Sequence, residues 1–238
     1  MNGPVLAVSG LAHAFGGLRA LDGVDFSVAR GEMVALIGPN GAGKTTCFNV
    51  INGQLRADAG EVRVNGRDVS GLAPAAIARQ RVGRTFQVAA TFASMSVREN
   101  IDVARRALRR RDDAHAAGVL LARVGAPALI DRHAATLVYA DAKRVELAIA
   151  LAGSPALLLL DEPTAGLAID DRIRMMDAVR AVSRDDAVAV LFTEHDMDIV
   201  FGYADRVIVL DRGRVIAAGT PAAVRADPAV KRAYLGEP

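Results

Sequence analysis

Cysteine is nearly absent. Cys47 is the single one in 238 residues, so no disulfide can form within the chain and a reducing compartment is expected. Its position, at the start of an expected helix, suits a small core residue better than a redox switch. A long apolar run is missing too. The most apolar window, VELAIALAGSPALLLL, is broken by Glu146, Gly153 and Pro155, whereas a bilayer span needs about 20 largely apolar residues. The start, MNGPVLAVSG, carries neither the basic end nor the continuous apolar stretch of a signal peptide. Neither charge sign dominates, and a formal net charge of +2 is too small to argue for a nucleic-acid partner. No linker rich in Pro, Gly or Ser divides the chain, and there is no internal repeat. What remains is a soluble intracellular protein whose 52% of hydrophobic residues, many of them alanine, can bury a substantial core.

The apolar residues that are present fall into two patterns. From Val5 to Val28 they come in short alternating runs parted by Gly16-Gly17 and Asp22-Gly23, which predicts short antiparallel strands. EVRVNGRDV adds two strand-like pieces hinged on Asn65-Gly66, a strong hairpin signal. Met33–Ile37 (MVALI) is apolar throughout, like a strand buried on both faces of a parallel sheet. Ala156–Leu160, Val188–Phe192 and Val207–Leu210 read the same way. Between about Val88 and Ala152 no strand is evident, and Ser96 with Glu99 has the form of a capping box, so this stretch is expected to be a helical insertion.

GPNGAGKTT, Gly38 to Thr46, fits G-x-x-x-x-G-K-[ST] at Gly38, Gly43, Lys44 and Thr45. It follows a buried strand and should open a helix at Lys44. In such a loop Gly38, Asn40, Gly41, Ala42 and Gly43 present backbone N–H groups to phosphate oxygens, while Pro39, which has none, belongs to the turn, with Thr46 on the helix that follows, and the helix adds its positive end. Lys44 is expected to neutralise β- and γ-phosphate charge and the Thr45 hydroxyl to ligate Mg²⁺. LLLLDE sets Asp161 and Glu162 just past another buried strand, where parallel sheets build their ligand sites. Asp161 can therefore reach the magnesium shell and Glu162 can polarise the attacking water. Each motif alone has a plainer reading, a glycine-rich turn or an acidic strand end; together they predict ATP, Mg²⁺ and phosphoryl transfer.

The order GPNGAGKTT, RTFQ, LVYADAKR, LLLLDEPTAG and TEHDM resembles the ATP-binding subunits of ABC transporters over essentially the whole chain. The resemblance implies one ATPase domain with an α/β, P-loop NTPase (RecA-like) parallel-sheet core. An N-terminal antiparallel β subdomain belongs to that core (1–87 and 153–238), and a helical subdomain bearing the signature loop is inserted at 88–152. It further implies that Gln87 senses the membrane partner and touches Mg²⁺ or the water, that His195 contacts the γ-phosphate and holds Glu162, and that Phe15 stacks on adenine. His13, His115 and His133 have no such company and read as solvated or structural. Two such domains pair head to tail, so the expected partners are a second ABC ATPase subunit, identical or different, two permease subunits and, indirectly, a substrate-binding protein. The chain would then lie at the cytoplasmic face of the inner membrane. FGGLRALDGVDFSV, RTFQ and GTPAAVRADPAVKRAYLGE resemble the subgroup serving branched-chain amino acids, with urea and other amides served by related versions.

Against that pattern the signature positions Leu137–Asp141 depart. Val138 stands for the usual serine and Ala140 for a glycine, while Tyr139 lies between them; Ala168 replaces an Asp or Asn at the end of the loop after Glu162. Losing one hydrogen bond to a charged group, about 1.5–3 kcal/mol, would slow turnover on the order of 10- to 150-fold. Asp141 is expected to cap a helix beginning near Ala142. Two readings stay open, a heterodimer whose partner supplies a conventional signature and a subgroup that tolerates Val and Ala. The motifs would also suit a weakly hydrolysing regulatory subunit of a heterodimeric transporter. A soluble, non-transport ABC-type ATPase would share them too, but such proteins carry a tandem ATPase domain or a long coiled-coil insertion, and this chain has neither. The guanine-reading Asn-Lys-x-Asp of GTPases is missing as well. Phe92 and Met95, in TFASMSV, are candidate permease contacts, and Arg105 with Arg109 and Arg106 with Arg110 are expected to share solvated helix faces.

Overall fold

The computed structural model describes residues 3–85, 91–110 and 113–235, with side chains through 233. β1 (Leu6–Phe15) and β2 (Leu18–Val28) form an antiparallel hairpin, followed by β3 (Met33–Ile37) and α1 (Lys44–Ile51). β4 (Ala59–Val64) and β5 (Arg67–Asp68) form a second hairpin, turned at Asn65 and Gly66 with φ of 49° and 77°. α2 (Pro74–Arg79) leads into β6 (Val82–Arg84). Then come α3 (Val97–Ala107), α4 (Ala116–Arg123) and α5 (Tyr139–Leu151), which make the helical arm. The chain returns as β7 (Leu157–Asp161), α6 (Ile169–Asp185), β8 (Ala189–Thr193), α7 (Met197–Tyr203), β9 (Arg206–Asp211) and β10 (Arg214–Gly219), closing with α8 (Pro221–Ala226) and α9 (Pro228–Leu235).

Two sheets result. The antiparallel one has the order β2-β1-β4-β5, and the central one β10-β9-β3-β8-β7-β6, parallel except for the β9–β10 pair. The central strands are apolar throughout because each faces two cores. Met33, Ala35 and Ile37 point into the core shared with the helical arm and α6, while Val34 and Leu36 point into the one shared with α1 and the antiparallel sheet. Every parallel strand therefore ends at the same edge, and that edge carries the candidate site.

Several boundaries differ from the sequence expectation. Asp22 and Gly23 lie inside β2, where a register shift absorbs the left-handed Gly23 (φ 74°), so β1 and β2 are long strands of 10 and 11 residues. α3 begins at the expected Ser96–Glu99 capping box, with both reciprocal hydrogen bonds made, but stops at Ala107. Arg109 is left-handed (φ 55°) and Arg110 donates to the Gly153 carbonyl, so the four arginines share no helix face. β6 and β10 have no counterpart among the strands that the apolar pattern predicts.

β6 is where the arm meets the sheet. A Cβ on Gly83 would stand 2.4 Å from the Ala150 carbonyl oxygen of α5 and 3.1 Å from Leu158 Cδ1. Backbone cannot give way as a flexible side chain does, so Gly83→Ala should destabilise the protein by about 1–3 kcal/mol. Thermal unfolding checks this, and an unchanged Tm would show that the joint is loose.

Candidate nucleotide site

β3 ends under the loop Gly38–Gly43, and close backbone contacts set the loop's shape. A Cβ on Gly38 (φ 155°) would lie 2.2 Å from the Leu210 carbonyl oxygen at the end of β9, and one on Gly43 (φ 106°) 2.4 Å from that of Ala20 on β2. Only hydrogen fits at either place. Gly43 is the N-cap of α1 and offers no side-chain cap, so the first N–H groups of that helix are free to meet an anion. Lys44 turns back over the loop, where its Nζ donates to the Gly38 and Pro39 carbonyls at 2.7 and 3.0 Å. Burial pulls the Lys44 ammonium below its usual range, while Glu162 and Asp161 oppose that shift.

An open cleft of about 500 Å³ lies over the loop, lined by Asn40 through Thr46 and by Phe15, Leu18, Glu162, His195 and Arg212. Phe15 is 51% exposed at one end and meets the His13 ring edge-on at 4.7 Å. His13 is mostly enclosed, 3.7 Å from Asp58.

At the other end β7 and β8 pair in register, Asp161 opposite Thr193. The Thr193 hydroxyl donates to Asp161 Oδ1 at 2.8 Å and accepts the Glu162 N–H at 3.1 Å, fixing both acids from one side chain. Asp161 is buried, and its Oδ2 lies 3.9 Å from the Arg84 guanidinium, which also donates to Asn49 and Gln54. Glu162 holds φ at 49°, a conformation uncommon for a non-glycine residue and concentrated at functional sites. Its Oε1 meets His195 Nε2 at 3.0 Å. Asp196 caps α7 just after His195 and pairs with Arg172.

A hydroxyl at Thr45 and one buried carboxylate at Asp161 fit magnesium, which takes one or two protein ligands and leaves the rest of its shell to phosphates and water. Gln87 lies outside the described residues. Sequence reasoning missed Thr193 and Glu194. The buried Glu194 carboxylate accepts the N–H and hydroxyl of Thr164 at 2.8 and 2.7 Å, pinning the loop that follows Glu162. A threonine and a glutamate near a strand end carry no signal of their own; only the β7–β8 register brings them to the site.

Leu137–Asp141 lie away from this cleft. α5 starts at Tyr139, earlier than expected, with the bare Val138 as N-cap. Asp141 is not the cap but sits in the first turn, 3.6 Å from Arg144. Val138 is 65% exposed, and Ala140 packs partly against the core. Ala168 is likewise the uncapped N-cap of α6. Phe92 is exposed, and beside the arm runs a separate apolar groove of about 350 Å³ whose lining includes Ile77, Ala104, Leu108 and Ile149. Cys47 is buried, and burial pushes its thiol up to about 12.

A glycine-walled loop between a buried parallel strand and a helix, with paired acids at the next strand end, defines a P-loop nucleoside triphosphatase. The family model described as ABC transporter matches residues 21–165, and one described as Branched-chain amino acid ATP-binding cassette transporter matches residues 214–238. The chain is 37% identical to the high-affinity branched-chain amino acid transport ATP-binding proteins BraF of Pseudomonas aeruginosa and LivG of Escherichia coli, over 100% of both chains in each case. It is also 37% identical to the lipopolysaccharide export system ATP-binding protein LptB of Escherichia coli, covering 98% of this chain and 97% of that one. Among solved structures, an ABC transporter cassette in its ADP conformation superposes with a TM-score of 0.89 at 31% identity, over 99% of this chain and 100% of that one. The chain belongs to the ATP-binding subunits of ABC transporters. It is an ATPase of that family.

Glu194 supplies a pH test. Burial raises its carboxyl above the usual value, the Thr164 hydrogen bonds opposing. A raised acid contributes stability that is complete below its unfolded pKa and lost as pH rises through the folded one. Glu194→Gln, uncharged throughout, should therefore gain in Tm relative to wild type as pH rises from the ordinary glutamate range through the raised folded-state value. A pH-independent difference between the two melting curves would contradict this.

Proposed function

We propose that the chain hydrolyses ATP to drive the uptake of branched-chain amino acids, acting as one ATPase domain, 1–238, at the cytoplasmic face of the membrane. The observation that carries the catalytic part is the 3.0 Å contact between His195 and Glu162 at the mouth of the phosphate-loop cleft. Glu162 takes the proton of a water as its oxygen attacks the γ-phosphorus, and the bond from that phosphorus to the bridging oxygen of ADP breaks. His195 keeps the carboxylate turned toward that water and contacts the γ-phosphate. Lys44 leaves its loop carbonyls for the β- and γ-oxygens, and the N–H groups from Asn40 to Thr46 hold the remaining charge. Thr45 and Asp161, with Gln87, would hold magnesium, which when bound would supply neutralisation of the phosphate charge. Phe15 stacks on the base.

Among the described residues no helix is long and apolar enough to cross a membrane. Transport accordingly requires permease subunits, with Phe92 and Met95 and, separately, the apolar groove beside the arm as their contacts. Support for the cargo comes from the relatives' names and from the matching segment 214–238. Identity by itself does not select the cargo, since LptB stands equally near. The test is ATP-dependent uptake of leucine, isoleucine and valine by the co-purified complex in vesicles. Uptake should be abolished by Glu162→Gln, which should cost about 10²–10⁴ in turnover. A complex that hydrolyses ATP yet moves none of the three would overturn the cargo and leave the ATPase reading standing.

A second reading concerns the dimer. The sequence motifs serving the chain's own phosphate loop are all present, whereas Val138 and Ala168, which this reading turns toward the partner, offer no side-chain donor. We infer a heterodimer in which each ATP lies between one phosphate loop and the opposite signature loop, with the faster site built on this chain's loop. Glu162→Gln should then cost more activity than the equivalent change in the partner; equal losses would refute the asymmetry.

A further inference from the structure

We propose that Tyr139 is a positioning residue that links the nucleotide seated against the N-terminus of α5, the one held by the partner's phosphate loop, to the catalytic carboxylate of this chain's own site. The proposal rests on the sandwich reading above and adds a physical link within one subunit between the two ATP sites.

The link is short. The Tyr139 hydroxyl donates to the Ala165 carbonyl at 3.1 Å. The Ala165 N–H in turn donates to the Glu162 carbonyl at 3.1 Å, closing the turn Glu162-Pro163-Thr164-Ala165. One peptide residue thus joins the first residue of α5 to the backbone of the catalytic acid. The ring also bears on Gly166, where φ is 75° and a Cβ would stand 3.1 Å from Tyr139 Cε1. Any larger residue at 166 would push the ring away. Lys143 Nζ lies 5.9 Å from the ring centroid on the other side.

The two ends differ in how freely they move. Tyr139 is half exposed, next to the uncapped N–H groups of α5 that would face the partner's phosphate, and it does not line this chain's own cleft. Glu162 is held in its left-handed conformation by Thr193, and Thr164 by Glu194. A turn clamped on one side and hinged on Tyr139 on the other transmits a displacement of α5 as a rotation about Glu162. A residue in a sparsely populated backbone conformation persists only while its surroundings hold it, so loss of one support shifts its population. Phenylalanine at 139 would keep the packing on Gly166 and remove the bond.

The test is Tyr139→Phe in the assembled transporter, with ATPase rate measured against ATP concentration. The expected result is a kcat lower by roughly two- to tenfold, the yield of one uncharged hydrogen bond. KM should stay within about twofold, and the Hill coefficient should fall toward about 1 as the two sites lose their coupling. Tm and Mg-ATP binding by the isolated chain should match wild type, which separates positioning from a fold defect. Gly166→Ala, displacing the ring with the hydroxyl intact, should reproduce the loss of cooperativity. Unchanged kcat and Hill coefficient in Tyr139→Phe, beside a cooperative wild type, would overturn the link alone. A wild-type complex that hydrolyses without cooperativity would overturn the sandwich reading and the link together.

Discussion

Two backbone carbonyls, those of Leu210 and Ala20, come so close to positions 38 and 43 that a hydrogen atom is all that fits there. The rest of the site depends on this constraint. It bends the chain after β3 so that α1 starts with its N–H groups turned outward, and it sets Lys44 where its ammonium can close the loop upon itself. Both carbonyls belong to strands distant in sequence, so the loop's shape is imposed by the packing of β9 and β2 onto β3. Glycine permits that shape; the sheet enforces it.

The acidic half of the site is organised by a similar economy. Thr193 bonds both Asp161 and the backbone of Glu162, and Glu194, one residue on, holds Thr164. His195 completes the run. Three consecutive residues at the end of β8 thus place everything at the end of β7, and the parallel register of the two strands is what aligns them. Glu194 is buried for this purpose at a desolvation cost that its two threonine donors only partly offset.

On the side facing away from the cleft the chemistry thins out. Val138 and Ala168 begin their helices without a side-chain acceptor, leaving bare N–H groups, and Val138 is exposed. Tyr139, the first residue of α5, bonds inward, to the loop that follows Glu162. The same stretch of chain is therefore tied by one hydrogen bond to the loop after Glu162. The helical arm meets the core in a close contact at Gly83, where the backbone of α5 packs directly against β6.

Much of this was legible in the residues alone. The phosphate loop, the fully apolar strands, the Asn65-Gly66 hairpin and the Ser96–Glu99 capping box are local demands: a turn needing left-handed backbone, a strand buried on both faces, a helix end needing an acceptor. Each is signalled within a few residues, so the sequence by itself located them, although the sheet gives the phosphate loop its final shape. What it did not carry were β6 and β10, three and six residues long, whose strand character comes from a neighbour to pair with. Nor did it place the start of α5, where the acid at Asp141 suggested a cap and the chain instead turned helical at Tyr139. Thr193 against Asp161, Glu194 against Thr164 and Tyr139 against Ala165 were decided by tertiary structure alone. These pairs join residues 26 to 32 apart, and their meeting follows from strand register and core packing, which no single stretch of the chain encodes.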